Sequence, residues 1–192
     1  MTIVAKYQAV VVGGSWGGMH AVIKMLSCLP PTINFSFIIV LHRLKDVKSP
    51  LVELIAAQIK IPVKEADEKE AILPGHAYIA PANYHLLIES DKTFSLDASE
   101  RVNFSRPSID VTFESAAQAF KDKLIGIVLT GANEDGSKGL QKIGEAGGCT
   151  IIQDPKDALS PTMPKAAIQL INTAKVLPLT EICSFLVELA KP

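Results

Sequence analysis

Short, almost unbroken apolar runs recur along this chain, and stretches of helical period separate them. The clearest are 9–12, 35–41 and 124–129, with 150–153 a shorter fourth. A strand with one wet face alternates apolar and polar residues. Runs this continuous belong to strands covered on both sides, the pattern of a parallel sheet between two layers of helices. The intervening segments fit. Residues 19–26, 50–59, about 108–120, 137–145, 164–171 and 180–189 read as helices. Ser49 suits an N-cap with Pro50 at the first helical position, and Gly147-Gly148 suits a C-terminal stop. Ser108 or Asp110 opens the third helix. Residues 61–66 and 176–177 add short strands.

The middle of the chain breaks the alternation. Residues 77–81, 84–89 and 93–96 are strand-like and too close together for helices between them. Strands so connected pair antiparallel, so a small meander is expected here. The expected fold is therefore α/β: a three-layer, doubly wound, mostly parallel sheet with a small antiparallel meander insertion. No linker, repeat or low-complexity stretch divides it, and residues 1–192 read as one domain.

Composition narrows the function. A formal net charge of −1 gives no basic field for nucleic acid. No apolar run approaches the ~20 residues of a membrane-spanning helix, and the N-terminus lacks a signal-peptide core. A cytoplasmic protein, not membrane-inserted, is expected. Cys28, Cys149 and Cys183 are widely spaced in apolar patterns and read as reduced packing residues. No His/Cys/carboxylate cluster has metal-ligand spacing, so no metal site is expected.

In a doubly wound sheet, residues following the strands gather at one edge. Three chemically suggestive residues do so here. Ser15 follows the first strand inside Gly13-Gly14-Ser15-Trp16-Gly17-Gly18, His42 follows the second, and Asp135 lies in the loop after 124–129. Ser, His and Asp are the parts of a nucleophilic triad. Gly13-Gly14-Ser15-Trp16-Gly17 also satisfies G-x-S-x-G, a tight strand-to-helix turn that presents a serine beside free helical N–H groups. The Trp16 N–H is a natural oxyanion donor. Each residue alone has an ordinary structural use: a turn serine, a packed histidine, an Asp-Gly helix start. The same loop also invites a dinucleotide reading. That fingerprint fails at its central glycine, occupied by Ser15, and no acid closes the second strand; Arg43 could only address a 2′-phosphate. His20, His76 and His85 are poorer candidates.

An ordered set of short motifs resembles a known family. Gly14-Ser15-x-Gly17-Gly18 and Leu41-His42 come first, then Leu73-Pro74-Gly75-His76-Ala77-Tyr78-Ile79-Ala80-Pro81 and Arg106-Pro107-Ser108-Ile109-Asp110-Val111. Leu129-Thr130-Gly131, Asp135-Gly136-x-x-Gly139, Ile152-Gln153-Asp154 and Met163-Pro164 follow. Over nearly its whole length the chain is similar to the catalytic domain of the chemotaxis receptor methylesterases, which are protein-glutamate methylesterases and glutaminases.

The resemblance implies a cofactor-free serine hydrolase with Ser15 as nucleophile, His42 as general base and acid, and Asp135 as orienting carboxylate. It implies glutamyl methyl esters on the cytoplasmic helices of methyl-accepting receptors as substrate, with methanol released and some receptor glutamines deamidated. Trp16 departs from the small residue common there, and Ala132 from a methionine. Both, with Gly17, are expected at the oxyanion site or pocket. Met1 stands only a few residues before the first strand, so no receiver domain is expected, and regulation would fall to a separate receiver or methyltransferase protein or be absent. A catalytically weak binding module on the same fold is the rival reading.

Overall fold

The computed structural model describes residues 7–42 and 50–191. Its centre is a seven-stranded sheet in the order β3-β4-β2-β1-β7-β8-β9, with every neighbouring pair parallel. The strands are β1 (Ala9–Gly14), β2 (Ser36–Leu41), β3 (Val63–Glu65), β4 (Ala77–Ile79), β7 (Leu124–Val128), β8 (Cys149–Gln153) and β9 (Lys175–Leu177). Six helices cover it: α1 (Gly18–Ser27), α2 (Leu51–Ala56), α3 (Ile109–Phe120), α4 (Ser137–Glu145), α5 (Thr162–Leu170) and α6 (Leu179–Leu189).

Strand alternation sorts the core into two layers. Val10, Val12, Phe37, Ile39, Ile125 and Ile127 face α1, α2 and α6, where Met25, Leu26, Ile55 and Leu186 are wholly buried against them. Val11, Ile38, Val40, Val128 and Ile152 face α3, α4 and α5 and meet Phe113, Leu140 and Met163. All six residues of β1 and of β2 are buried, which is why these runs carry no polar alternation. None of the described helices is long and apolar enough to cross a membrane.

The expected meander is smaller than the sequence suggested. Of the three strand-like pieces, the second and third, β5 (His85–Ile88) and β6 (Phe94–Asp97), pair antiparallel as a two-stranded sheet. The first of the three strand-like pieces, β4, lies in the main sheet, parallel to both β2 and β3. The antiparallel rule holds for strands that pair directly, and β4 never pairs with β5. Residues 80–84 carry the chain out of the sheet, with Asn83 in the left-handed region at φ 68°. Residues 66–76 supply the crossover that a parallel β3–β4 pair needs, and run beside β6 through Lys69 N–H to Phe94 O and Phe94 N–H to Glu70 O.

Element ends shift slightly. Helix α2 stops at Ala56, and α6 starts at Leu179 after Pro178. Pro50 precedes the first residue of α2, while the Ser49 cap and Arg43 lie outside the described residues. Ser108 does precede α3, but its hydroxyl makes no cap to that helix. That hydroxyl goes to the site described next.

The chain leaves β1 for β2 on one side and returns later to β7 on the other, so the strand order reverses at β1. A doubly wound sheet offers its ligand crevice beyond the carboxyl ends of strands at such a reversal. Ser15, His42 and Asp135 stand beyond the ends of β1, β2 and β7, three adjacent strands.

Candidate active site

The turn after β1 is built for close approach. Gly17 holds φ 79° and precedes α1, a left-handed position that a side chain strains. The loop is tied to its neighbours through backbone groups. Ser15 N–H donates to Thr130 O at 3.0 Å, His42 N–H donates to Gly14 O at 3.2 Å, and Gly18 N–H donates to Ser15 O at 2.7 Å. The Thr130 hydroxyl donates to Trp16 O at 2.9 Å and accepts from Ser160 N–H at 2.8 Å. The N–H groups of Trp16 and Gly17 are spent on no hydrogen bond among the described residues. They are free to meet an oxyanion beside Ser15.

Ser15, Trp16, Gly17, His42 and Ala132 line one open cavity of about 760 Å³, with Asn83, Arg101, Phe104 and Arg106 among its other walls. The structure thus gathers all six residues singled out in the sequence, Asp135 lying behind His42. The imidazole Nε2 sits 2.8 Å from Asp135 Oδ2, and Nδ1 lies 3.4 Å from Asn133 Nδ2. A carboxylate at Nε2 fixes the neutral proton there and leaves Nδ1 as the basic nitrogen. Ser15 Oγ makes no hydrogen bond to His42 among the described residues; catalytic contacts of this kind often tighten only around substrate.

Asp135 is completely buried, yet richly partnered. Its Oδ1 accepts from Asn103 Nδ2 at 3.0 Å, Ser108 Oγ at 2.9 Å and Asp110 N–H at 3.1 Å. Its Oδ2 accepts from Ile109 N–H at 2.7 Å as well as from His42. Burial alone would raise this carboxyl. The bonds from His42, Asn103 and the first N–H groups of α3 outweigh it and hold Asp135 below its ordinary value. The α3 N-terminus, the positive end of its dipole, is aimed at this buried carboxylate and favours its charged form.

That helix end reaches Asp135 because Gly13 is small. A Cβ on Gly13 would stand 2.3 Å from Ile109 Cγ2. The sequence flagged Gly13 for the turn, while its closer constraint is this helix.

A second buried acid stands beside the first. Asp110 is 9% exposed, accepts Gly139 N–H at 2.7 Å through Oδ1, and accepts Asn103 Nδ2 at 2.9 Å through Oδ2. Burial pushes its carboxyl up; the Gly139 bond opposes this, and the Asp135 charge adds to it. Asn103, Ser108, Asp110 and Asn133 were not assigned site roles from the sequence. Ser108 and Asp110 were visible as helix-start residues, but Asn103 sits in a loop with no motif. His85, a poor candidate, is structural. It is buried, accepts Ser108 N–H at Nδ1 (3.2 Å) and donates from Nε2 to Glu100 O (2.9 Å), pinning the cavity loop to the start of α3. His76 stacks on Tyr78 away from the cavity. No cluster of three metal-ligating side chains occurs among the described residues.

Known proteins give this geometry a family. The family model described as CheB methylesterase matches residues 10–186. A Leptospira interrogans protein, provisionally named a protein-glutamate methylesterase/protein-glutamine glutaminase, is 46% identical over 184 residues, covering 96% of this chain and 95% of its own. The Carboxydothermus hydrogenoformans protein-glutamate methylesterase/protein-glutamine glutaminase 1 is 37% identical across 91% of this chain, which spans 53% of that longer protein. The crystal structure of the Thermotoga maritima CheB methylesterase catalytic domain superposes with a TM-score of 0.90 at 33% identity, covering 95% of this chain and 98% of that one. With its fold, its sheet-edge cavity and matches of this extent, the chain belongs to the CheB methylesterase family of carboxylic ester hydrolases.

Proposed function

We propose that this chain removes methyl groups from glutamyl methyl esters on the cytoplasmic helices of chemotaxis receptors, using Ser15, His42 and Asp135 as a triad. The observation that carries the proposal is the His42–Asp135 pair. A buried, ionised carboxylate grips one ring nitrogen, and the ring borders the same cavity as a serine on a glycine turn.

The chemistry follows from this arrangement. Ser15 Oγ attacks the ester carbonyl carbon while its proton passes to His42 Nδ1. The imidazolium that forms stays bonded to Asp135 through Nε2–H. The oxyanion of the tetrahedral intermediate is met by the Trp16 and Gly17 N–H groups at the positive end of α1. Collapse breaks the bond to the methoxy oxygen, which takes the proton from His42 and leaves as methanol. Water then attacks the acyl-serine, giving its proton to His42, and the glutamate carboxylate departs as Ser15 is restored. An amide in place of the ester would leave as ammonia by the same route, which extends the proposal to receptor glutamines. Exposed Trp16 and Phe104 at the cavity walls suit a substrate presented on a folded surface.

Methanol release from methylated receptor membranes tests the reading. The native chain should release it, and Ser15→Ala should fall by about 10³–10⁶-fold, as loss of a triad nucleophile does. Equal release by both would reject Ser15 as nucleophile.

A further inference from the structure

The two buried carboxylates behind His42 share one side-chain donor. Asn103 Nδ2 lies 3.0 Å from Asp135 Oδ1 and 2.9 Å from Asp110 Oδ2, so its two N–H bonds serve one acid each. Its orientation is fixed by this setting, since the amide oxygen turned inward would face two carboxylates. The backbone around it is unusual. Asn103 and Phe104 take φ of 50° and 61°, the two central residues of a turn closed by Val102 N–H to Ser105 O and Ser105 N–H to Val102 O. Asparagine tolerates that region and phenylalanine does not suit it. The turn sends the Asn103 amide inward, while Phe104, 94% exposed, borders the cavity. Arg106 braces the same loop, donating from Nη1 to Ala98 O and Ser99 O, both at 2.6 Å.

We propose that Asn103 is a positioning residue for ester hydrolysis: its amide holds Asp135 and Asp110 together as an ionised pair and ties the cavity loop to the carboxylate that orients His42. The proposal rests on the esterase reading of the site. His42 faces the pair from the end of β2. Helix α3 contributes Asp110 itself and two N–H groups, Ser108 just before it contributes a hydroxyl, and α4 contributes the Gly139 N–H. Glu134 and Lys138 flank the pair in the chain but are exposed. Without the amide, two like charges face each other, and the pair takes up a proton at higher pH.

Asn103→Ala and Asn103→Gly test this, each alone and with Asp110→Asn, which keeps an oxygen for Gly139. Melting temperature against pH is read first. The deficit of either single variant should be small near pH ~4, where an ordinary carboxyl is already half protonated. It should widen toward neutrality, where both acids are charged, and Asp110→Asn in the same background should narrow it. The acid limb of kcat/KM is read second. It should move upward by about one pH unit and return with Asp110→Asn. A deficit that is equal at every pH and in both backgrounds, or an unmoved acid limb, overturns the proposal and leaves Asn103 a loop anchor. A deficit in the alanine variant but not the glycine variant would trace to backbone strain and overturn it equally. If the native chain hydrolyses no ester, the esterase reading fails separately, and the melting profile still decides whether Asn103 joins the pair.

Discussion

Replacing Asp135 by asparagine changes one atom and the direction of at least one hydrogen bond. With the new NH₂ in the place of Oδ2, it faces Ile109 N–H at 2.7 Å, donor against donor, and His42 Nε2 at 2.8 Å. His42 can answer by moving its proton to Nδ1, which satisfies the contact and removes the base that Ser15 needs. Ile109 N–H cannot answer, and an orphaned buried N–H costs about 1–3 kcal/mol. The bonds from Asn103, Ser108 and Asp110 N–H to Oδ1 survive but lose their charge assistance, roughly 1 kcal/mol each. Removing a wholly buried charge and relieving Asp110 of a like neighbour offsets part of that. The net is a loss of about 2–4 kcal/mol, or ~5–15 °C in melting temperature for a chain of this size.

The loss should be largest near neutral pH. A carboxyl held below its ordinary value stabilises the fold above that value, and the contribution disappears as pH falls through the lowered one. Activity should fall by roughly 10⁴-fold, the size associated with a wrong tautomer. Thermal melts over a pH series and methanol release on the same preparations measure both. An Asp135→Asn chain that is folded and within tenfold of native activity would refute the tautomer argument. An unchanged melting temperature would refute the hydrogen-bond inventory behind it.

Other outcomes follow from the same contacts. Gly13→Ala places a Cβ 2.3 Å from Ile109 Cγ2 and should push the α3 N-terminus off Asp135, costing about 1–3 kcal/mol by denaturant unfolding and depressing kcat. Trp16→Ala removes a side chain that is 68% exposed at the cavity; melting should hold within ~0.5 kcal/mol while KM for receptor membranes changes, so a KM left unchanged would rule the ring out of substrate contact. Cys183 is pushed up to about 12, first by burial and then by its neighbour Cys28. Timed alkylation read by mass spectrometry should therefore modify exposed Cys28 well before Cys183.

What the sequence could and could not convey divides along a physical line. Burial on two faces leaves a mark that any reader of β1 or β2 can see, and parallel strands then oblige the residues that follow them to share an edge. Ser15, His42 and Asp135 were legible for that reason. Their partners were not, because each is recruited by tertiary placement. Ser108 looks like a helix cap, and its hydroxyl instead bonds Asp135, 27 residues away. Asn103 carries no motif in the sequence, and its amide joins two acids on different elements. The β4 error has the same origin. Closeness in sequence suggested pairing with β5, but the turn at 80–84 carries the chain out of the sheet and leaves β4 there, where β2 offers it a partner.

The arrangement also explains why Asp135 alone would not suffice. A buried aspartate without donors rises toward neutrality and could not hold a charged imidazole. Here α3 delivers two N–H groups and Ser108 before it a hydroxyl, and they can do so because Gly13 lets the first residue of α3 touch the end of β1. The carboxylate proposed to orient His42 is thus a product of helix placement, and the glycine that permits the placement lies two residues before the proposed nucleophile.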